Sequence, residues 1–161
     1  MQFLFFPMNE TSAGEIVEHW HYDGAYTFYD MDADEDDLAI FMDRDYWKEA
    51  TCEVVNEAGE LVGWATFYTA EDGFWLSLGL RPDLTGQGLG LGFVNACVAY
   101  AVEHYAINGD RIKLGVAEFN TRAVKVYQRA GFTESGREVR ETHIGRLPFI
   151  LMEKPVAKKQ G

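Results

Sequence analysis

The feature that most constrains this chain is the run LSLGLRPDLTGQGLGLGF, in which an extended apolar segment enters a helix through a loop with glycine at 86, 88, 90 and 92. Phe74, Leu76, Leu78 and Leu80 alternate onto one face of a strand, while Leu89, Phe93, Cys97, Tyr100, Ala101 and His104 recur at helical spacing. Glycines at such a turn let the backbone approach a ligand and direct several N–H groups inward, and the start of the helix adds positive potential. The natural guest is a phosphate or pyrophosphate. A P-loop is excluded, because no Gly-Lys followed by Ser or Thr is present. The dinucleotide fingerprint G-x-G-x-x-G fails at its third glycine, since Leu91 lies three beyond Gly88 and Phe93 three beyond Gly90.

Around this turn the pattern is α/β. Residues 2–8 form an apolar run containing Pro7, and the spacing of Ser12 and Glu15 predicts a capping box opening a short helix through Ile16, Val17 and Trp20. HWHYDGAYTFYD is aromatic without a clean period and reads as an ordered loop or site wall. Asp34–Asp37 precede Leu38, Phe41, Met42 and Tyr46, the pattern of one amphipathic helix whose N-terminal dipole favours the carboxylates. Strands are predicted at Cys52–Asn56, Leu61–Thr69 and Phe74–Leu80, then at 111–117, Thr133–Thr142 and Leu147–Met152. A helix over Thr121–Ala130 has Asn120 or Thr121 as its N-cap and Gly131 where a left-handed C-terminal cap belongs. At 161 residues this is one domain, 1–161, able to bury roughly 70% of its unfolded surface. Its ligand-binding core is residues 52–152, and the helices of residues 10–50 are expected to border the site of a second ligand.

A composition of 47% hydrophobic and 25% charged residues excludes a disordered chain, and no apolar run approaches the roughly 20 residues of a membrane-spanning helix. The N-terminus lacks a basic leader and cleavage site, so a cytoplasmic protein with reduced Cys52 and Cys97 is expected. A net charge of −12 argues against nucleic acid as a partner. That charge is uneven: residues 1–80 carry −16 and residues 81–161 carry +4, as suits two ligands of opposite sign. The tail residues Lys158 and Lys159 are expected to be solvated.

The order strand, Leu80-x-Pro82-x-x-Thr85-Gly86-x-Gly88-Leu89-Gly90, long helix resembles the acetyl-coenzyme A motif of the GCN5-related N-acetyltransferase (GNAT) family. Asn120 through Tyr127 to Ala130-Gly131-Phe132 resembles that family's second cofactor motif. With the strands around them the resemblance extends over residues 52–152, about two-thirds of the chain. Thr85 departs from the family's Gln or Arg, at a position where the backbone N–H supplies the contact. The resemblance implies a single-domain GNAT fold: a mixed, mostly antiparallel seven-stranded sheet with about four helices, splayed between the fourth and fifth strands. It implies that Leu78, Gly79 and Leu80 pair with the pantetheine arm of acetyl-CoA. It places Thr85, Gly86, Gln87, Gly88, Leu89, Gly90 and Leu91 around the pyrophosphate, Asn120 on the pantetheine, and Tyr127 beside the sulfur as general acid. A phenol there can protonate the departing thiolate, and the Leu80 N–H can stabilise the tetrahedral oxyanion.

The acceptor is expected to be a small-molecule or peptide amine of cationic character, acetylated directly in a ternary complex. Its nitrogen must lose a proton, yet Gly115 stands where some relatives keep a glutamate. His19, His21 and His143 are therefore the candidate bases, since imidazole titrates at about 6.5; Glu18 and Glu141 are further candidates. Tyr22, Tyr26 and Tyr29, with Trp20 and Phe28, suit either a cation–π pocket or core packing. No metal is expected, because His-x-His without close further ligands is not a zinc pattern. A non-catalytic acyl-CoA-binding or sensing module on the same fold is the alternative, and the sequence leaves a homodimer open.

Overall fold

The computed structural model describes residues 1–48 and 50–157; the expectation for Lys158 and Lys159 lies outside them. Seven strands form one sheet: β1 (Leu4–Pro7), β2 (Thr51–Val55), β3 (Leu61–Ala70), β4 (Gly73–Leu80), β5 (Arg111–Ala117), β6 (Thr133–Thr142) and β7 (Gly145–Pro155), in the order β1-β2-β3-β4-β5-β7-β6. The β4–β5 pair is parallel and the others are antiparallel. The helices are α1 (Glu10–His19), α2 (Glu35–Phe41), a single turn α3 (Arg44–Trp47), α4 (Gly90–His104) and α5 (Thr121–Arg129). The sequence-predicted α/β architecture, with its mixed, mostly antiparallel seven-stranded sheet, is what the chain forms.

Two expectations are corrected at the helices of the N-terminal segment. Helix α1 starts a turn earlier than the Ser12–Glu15 spacing suggested, because Asn9 Oδ1 accepts from the Ser12 N–H at 2.9 Å. Freed from capping, the Ser12 hydroxyl hydrogen-bonds Glu53 on β2. The single helix expected from Asp34 to Tyr46 is two short ones. Asp34 caps α2 by accepting from Asp36 N at 2.8 Å and Asp37 N at 3.2 Å, and Asp43 interrupts the run by accepting from Asp45 N at 3.0 Å. An aspartate inside an apolar stripe offers the backbone a second cap, and here the chain takes it.

The sheet separates two cores. Trp64 and Ala65, adjacent on β3, point to opposite faces. Ala65 joins the large cluster of Phe67, Phe74, Leu76, Phe93, Cys97, Ile112 and Met152 that seats α4 and α5. Trp64 packs on the smaller cluster of Ile16, Trp20, Phe41 and Trp47, which holds α1, α2 and α3 to the other face. Cys52 and Cys97 are free and buried.

The C-terminal end of α5 shows why a Gly-Phe pair follows it. The Phe132 N–H donates to Tyr127 O and the Gly131 N–H to Gln128 O, both at 3.0 Å, with Gly131 at φ +97°. This is a Schellman cap, and the Phe132 ring meets the Tyr127 ring at 6.0 Å as such caps prefer. The asparagine that starts the helix caps it, Asn120 Oδ1 accepting from Ala123 N at 3.2 Å. Asn120, Tyr127, Gly131 and Phe132 are thus one mechanical unit that fixes Tyr127 against the sheet.

Candidate active site

Between β4 and β5 the sheet opens. Pairing is confined to Phe74↔Ile112 and Trp75↔Lys113, although both strands continue for several residues. The ladders on either side say which backbone groups face the gap. The Arg81 N–H donates to Val62 O at 2.8 Å, so in the antiparallel β3–β4 register the Gly63–Leu80 and Ala65–Leu78 pairs are non-hydrogen-bonded. Leu78 and Leu80 therefore turn their N–H and C=O groups away from β3 and into the gap. On the far side, the Val156 N–H donates to Asp110 O at 2.8 Å and the Glu118 N–H to Pro148 O at 3.0 Å, which by the same alternation leaves Gly115 and Ala117 facing the gap. Two strand edges thus confront each other inside the molecule, a template for an extended amide-bearing guest.

The Leu80 and Ala117 carbonyls are engaged: the Tyr22 hydroxyl donates to Leu80 O at 2.7 Å and the Asn120 N–H to Ala117 O at 2.9 Å. Tyr22 belongs to the aromatic segment after α1, and burial pushes its phenol well above the ordinary range. The segment includes a 3₁₀ turn over Gly24–Tyr29 and forms one wall of a cavity of about 600 Å³. Tyr22, Tyr26, Tyr29 and Trp64 line this side, β4 and β5 supply the gap, and Tyr127 and Asn120 line it from α5. Burial also pushes the Tyr127 phenol up, which keeps it protonated and able to donate.

The glycine loop sits at the mouth. Thr85, Gly86, Gly88, Gly90 and Leu91 line the cavity; Gln87 and Leu89 do not. Gln87 Nε2 turns back to donate to Asp83 O at 2.5 Å, and Leu89 packs into the main core. Gly86 and Gly88 adopt φ +74° and +78°, a conformation that side chains disfavour. Among the described residues the N–H groups of Gly86, Gln87, Gly88, Gly90 and Leu91 have no protein acceptor. With the start of α4 behind them they form an anion cradle. Arg122, Lys125 and Arg129 line the cavity from one face of α5. Their i, i+3, i+7 spacing was readable in the sequence but was not used there.

None of the three candidate histidines lines the cavity. His19 ends α1 in solvent, 64% exposed, with Nε2 3.8 Å from Glu18. His21 Nδ1 lies 3.0 Å from Asp30 Oδ2 and its Nε2 lies 2.9 Å from the Glu18 carbonyl. The Asp30 hydrogen bond, aided by Glu18 O, raises its pKa, so the imidazolium clips α1 to the aromatic segment. Asp32 completes a His21–Asp30–Asp32 group with metal-ligand types, but both ring nitrogens of the clip are engaged as donors. His143 stacks on Phe28 at 5.1 Å and lies 3.9 Å from Asp34. At Gly115 a Cβ would come within 2.7 Å of Arg140 Nη2, so a side chain there requires the Arg140 guanidinium, which rests on Phe149, to swing aside. Among the described residues no carboxylate lines the cavity.

A splayed β4–β5 gap, an anion cradle at its mouth and a protonated phenol at its inner end define a site for a long phosphorylated cofactor bearing amides. The family model for the acetyltransferase (GNAT) family matches residues 15–132. This chain belongs to that family of acetyl-CoA-dependent acyltransferases. Its fold is shared with spermidine N-acetyltransferase from Vibrio cholerae in complex with CoA and spermine, at 20% identity and TM-score 0.75 over 98% of this chain and 97% of that one. It is shared also with AAC(6')-Ib in complex with ribostamycin and coenzyme A, at 19% identity and TM-score 0.72 over 96% and 94%. The ribosomal-protein-S18-alanine N-acetyltransferase from Escherichia coli superposes at 19% identity and TM-score 0.65 over 99% and 97%. Among the described residues no helix is long and apolar enough to cross a membrane.

Proposed function

We propose that this chain transfers acetyl from acetyl-CoA directly to a primary amine in a ternary complex, with Tyr127 as the general acid. The observation that carries the reading is the juxtaposition of unpaired strand edges at Leu78, Leu80 and Gly115 with the cradle of Gly86 and Gly88. In it, the pantetheine amides pair with Leu78 and Leu80, Asn120 donates from its Nδ2, and the pyrophosphate takes the loop N–H groups. Arg122, Lys125 and Arg129 supply the positive field that remaining phosphate charge needs. The amine nitrogen attacks the thioester carbon, the carbonyl oxygen becomes an oxyanion near the Leu80 N–H, and the C–S bond breaks as Tyr127 protonates the sulfur.

Among the described residues no histidine or carboxylate lines the cavity, so the surplus amine proton goes to water rather than to His19, His21 or His143. Aromatic walls from Tyr22 and Trp64, in the acidic N-terminal half of the chain, favour a cationic acceptor, while the Tyr26 ring already carries the Arg122 guanidinium at 4.5 Å. Free buried Cys52 and Cys97 support a cytoplasmic setting.

The test is free-thiol release from acetyl-CoA with three probes: spermine, ribostamycin and a peptide beginning with alanine. Release with at least one, together with micromolar acetyl-CoA binding by calorimetry, is the expected result. Binding without release across these probes and a wider amine panel would favour a sensing module. No heat and no thermal shift at millimolar acetyl-CoA would overturn both readings.

A further inference from the structure

Tyr29 carries a feature that the cofactor reading leaves unexplained. Among the described residues its hydroxyl is the one buried side-chain polar atom without a hydrogen-bond partner. Leaving such a group unsatisfied is destabilising, a cost that phenylalanine would avoid. Its ring is held in place, with Phe28 edge-on at 5.0 Å and Phe119 at 6.0 Å. It lines the same cavity as Tyr127 and Asn120. Asn120 and the Ala117 N–H stand close enough to favour its ionised form, yet neither meets hydrogen-bond geometry; burial outweighs them and keeps the phenol neutral. Tyr29 and Tyr127 also act on each other electrostatically, which places their phenols in one neighbourhood.

The two phenols reach the gap from opposite faces of the sheet. Phe149 and Ile150, adjacent on β7, point to opposite sides. Phe28, next to Tyr29, meets Phe149 at 6.3 Å, whereas Ile150 belongs to the cluster that seats α4 and α5. A nucleophile approaches a thioester carbonyl from above or below its plane. A site with the leaving-group acid on one face therefore has its nucleophile contact on the other.

We propose that the Tyr29 hydroxyl oxygen binds the acceptor nitrogen, accepting a hydrogen bond from an amine N–H so that the lone pair points at the acyl carbon. This rests on the acetyltransferase reading. In the step, the N–C bond forms and the C–S bond breaks; the sulfur takes the Tyr127 proton and the nitrogen releases one proton to water. Tyr29 transfers no proton itself. It acts by direct contact with substrate, which makes it a catalytic residue through orientation.

The test is Tyr29→Phe, assayed by thiol release with whichever of the three amine probes the wild type acetylates, alongside acetyl-CoA calorimetry and thermal melting without ligands. The expected result is about a tenfold rise in the amine KM, one hydrogen bond's worth, with acetyl-CoA Kd unchanged and Tm unchanged or higher. An unchanged amine KM, or weakened acetyl-CoA binding, would overturn the assignment. So would a Tm loss of more than about 3 °C, which would mean that the hydroxyl already has a structural partner. If the wild type itself releases no thiol, it is the acetyltransferase reading that has failed, and this assignment falls with it.

Discussion

The two sides of the cavity are built on different principles. On the cofactor side, β4, the glycine loop, α4 and the capped α5 present backbone: N–H and C=O groups of Leu78, Leu80 and Gly115, and the loop amides held open by Gly86 at φ +74° and Gly88 at φ +78°. On the acceptor side, residues 20–30 and Trp64 present side chains, mostly phenol and indole. A site made of backbone needs particular residue types to exist at all, above all glycine. A site made of side chains on an irregular segment is free to vary, and so is its ligand.

The sharpest way to break this comparison is Tyr127→Phe, because Tyr127 is the side chain on the backbone side to which the proposed proton transfer falls. Its kcat is expected to fall about 100-fold with acetyl-CoA affinity within threefold, measured by steady-state thiol release and calorimetry. Undiminished kcat would remove it from the mechanism. Next comes Gly88→Ala. The added Cβ meets nothing within 4 Å, so only the positive φ opposes it, at about 1–2 kcal/mol. Acetyl-CoA Kd should rise about tenfold, whereas Gly59→Ala, at φ +81° in the β2–β3 turn, should leave Kd unchanged despite equal strain. Equal Kd values for the two variants would show that the loop conformation is not used for binding.

A smaller effect is expected where the two sides touch. Tyr22→Phe leaves the Leu80 carbonyl without its donor, and should lower Tm by about 3 °C, corresponding to about 1 kcal/mol. The smallest concerns the His21 clip. Because its folded pKa is raised above 6.5, the clip contributes fully below that value and is lost as pH rises through the folded pKa. His21→Asn should lower Tm by about 1 °C at pH 5.5 and not at pH 9, the effect being small because the pair is solvent-screened. The amine dependence sharpens the chemistry as well. With no histidine base, log kcat/KM should rise with unit slope from pH 6 to 8.5, since a primary amine ionises near pH 10.4; a plateau above about pH 6.5 would return the role to a histidine.

The same contrast explains what the sequence made legible. The seven strands, the long helix after the loop, and the Asn120 and Gly131 caps were readable because period, N-cap chemistry and positive φ are local demands. The gap itself was reached only through resemblance, since nothing in FWLSLGL or RIKLGVA states that the parallel pair stops at Trp75↔Lys113. The positions of the candidate histidines away from the cavity were hidden for an equivalent reason. His21 is fixed by Asp30, nine residues on, and His143 by stacking on Phe28, more than a hundred residues away, so neither orientation is a property of its neighbours in sequence. The Gln87 and Leu89 side chains turn away from the cavity, to Asp83 O and the main core, while the Gln87 N–H stays in the cradle, so backbone and side chain of one loop residue serve different ends. The break at Asp43 was visible as an aspartate among apolar residues, but only the competing cap decides it.

The central claim is that acetyl-CoA lies in the β4–β5 gap on backbone amides. Hydrogen exchange of those amides, with and without saturating acetyl-CoA, tests it most directly. The account predicts strong protection at Leu78, Leu80 and Gly86 through Leu91, with residues 35–48 unchanged. Binding that leaves these amides exchanging at their free rates would contradict it.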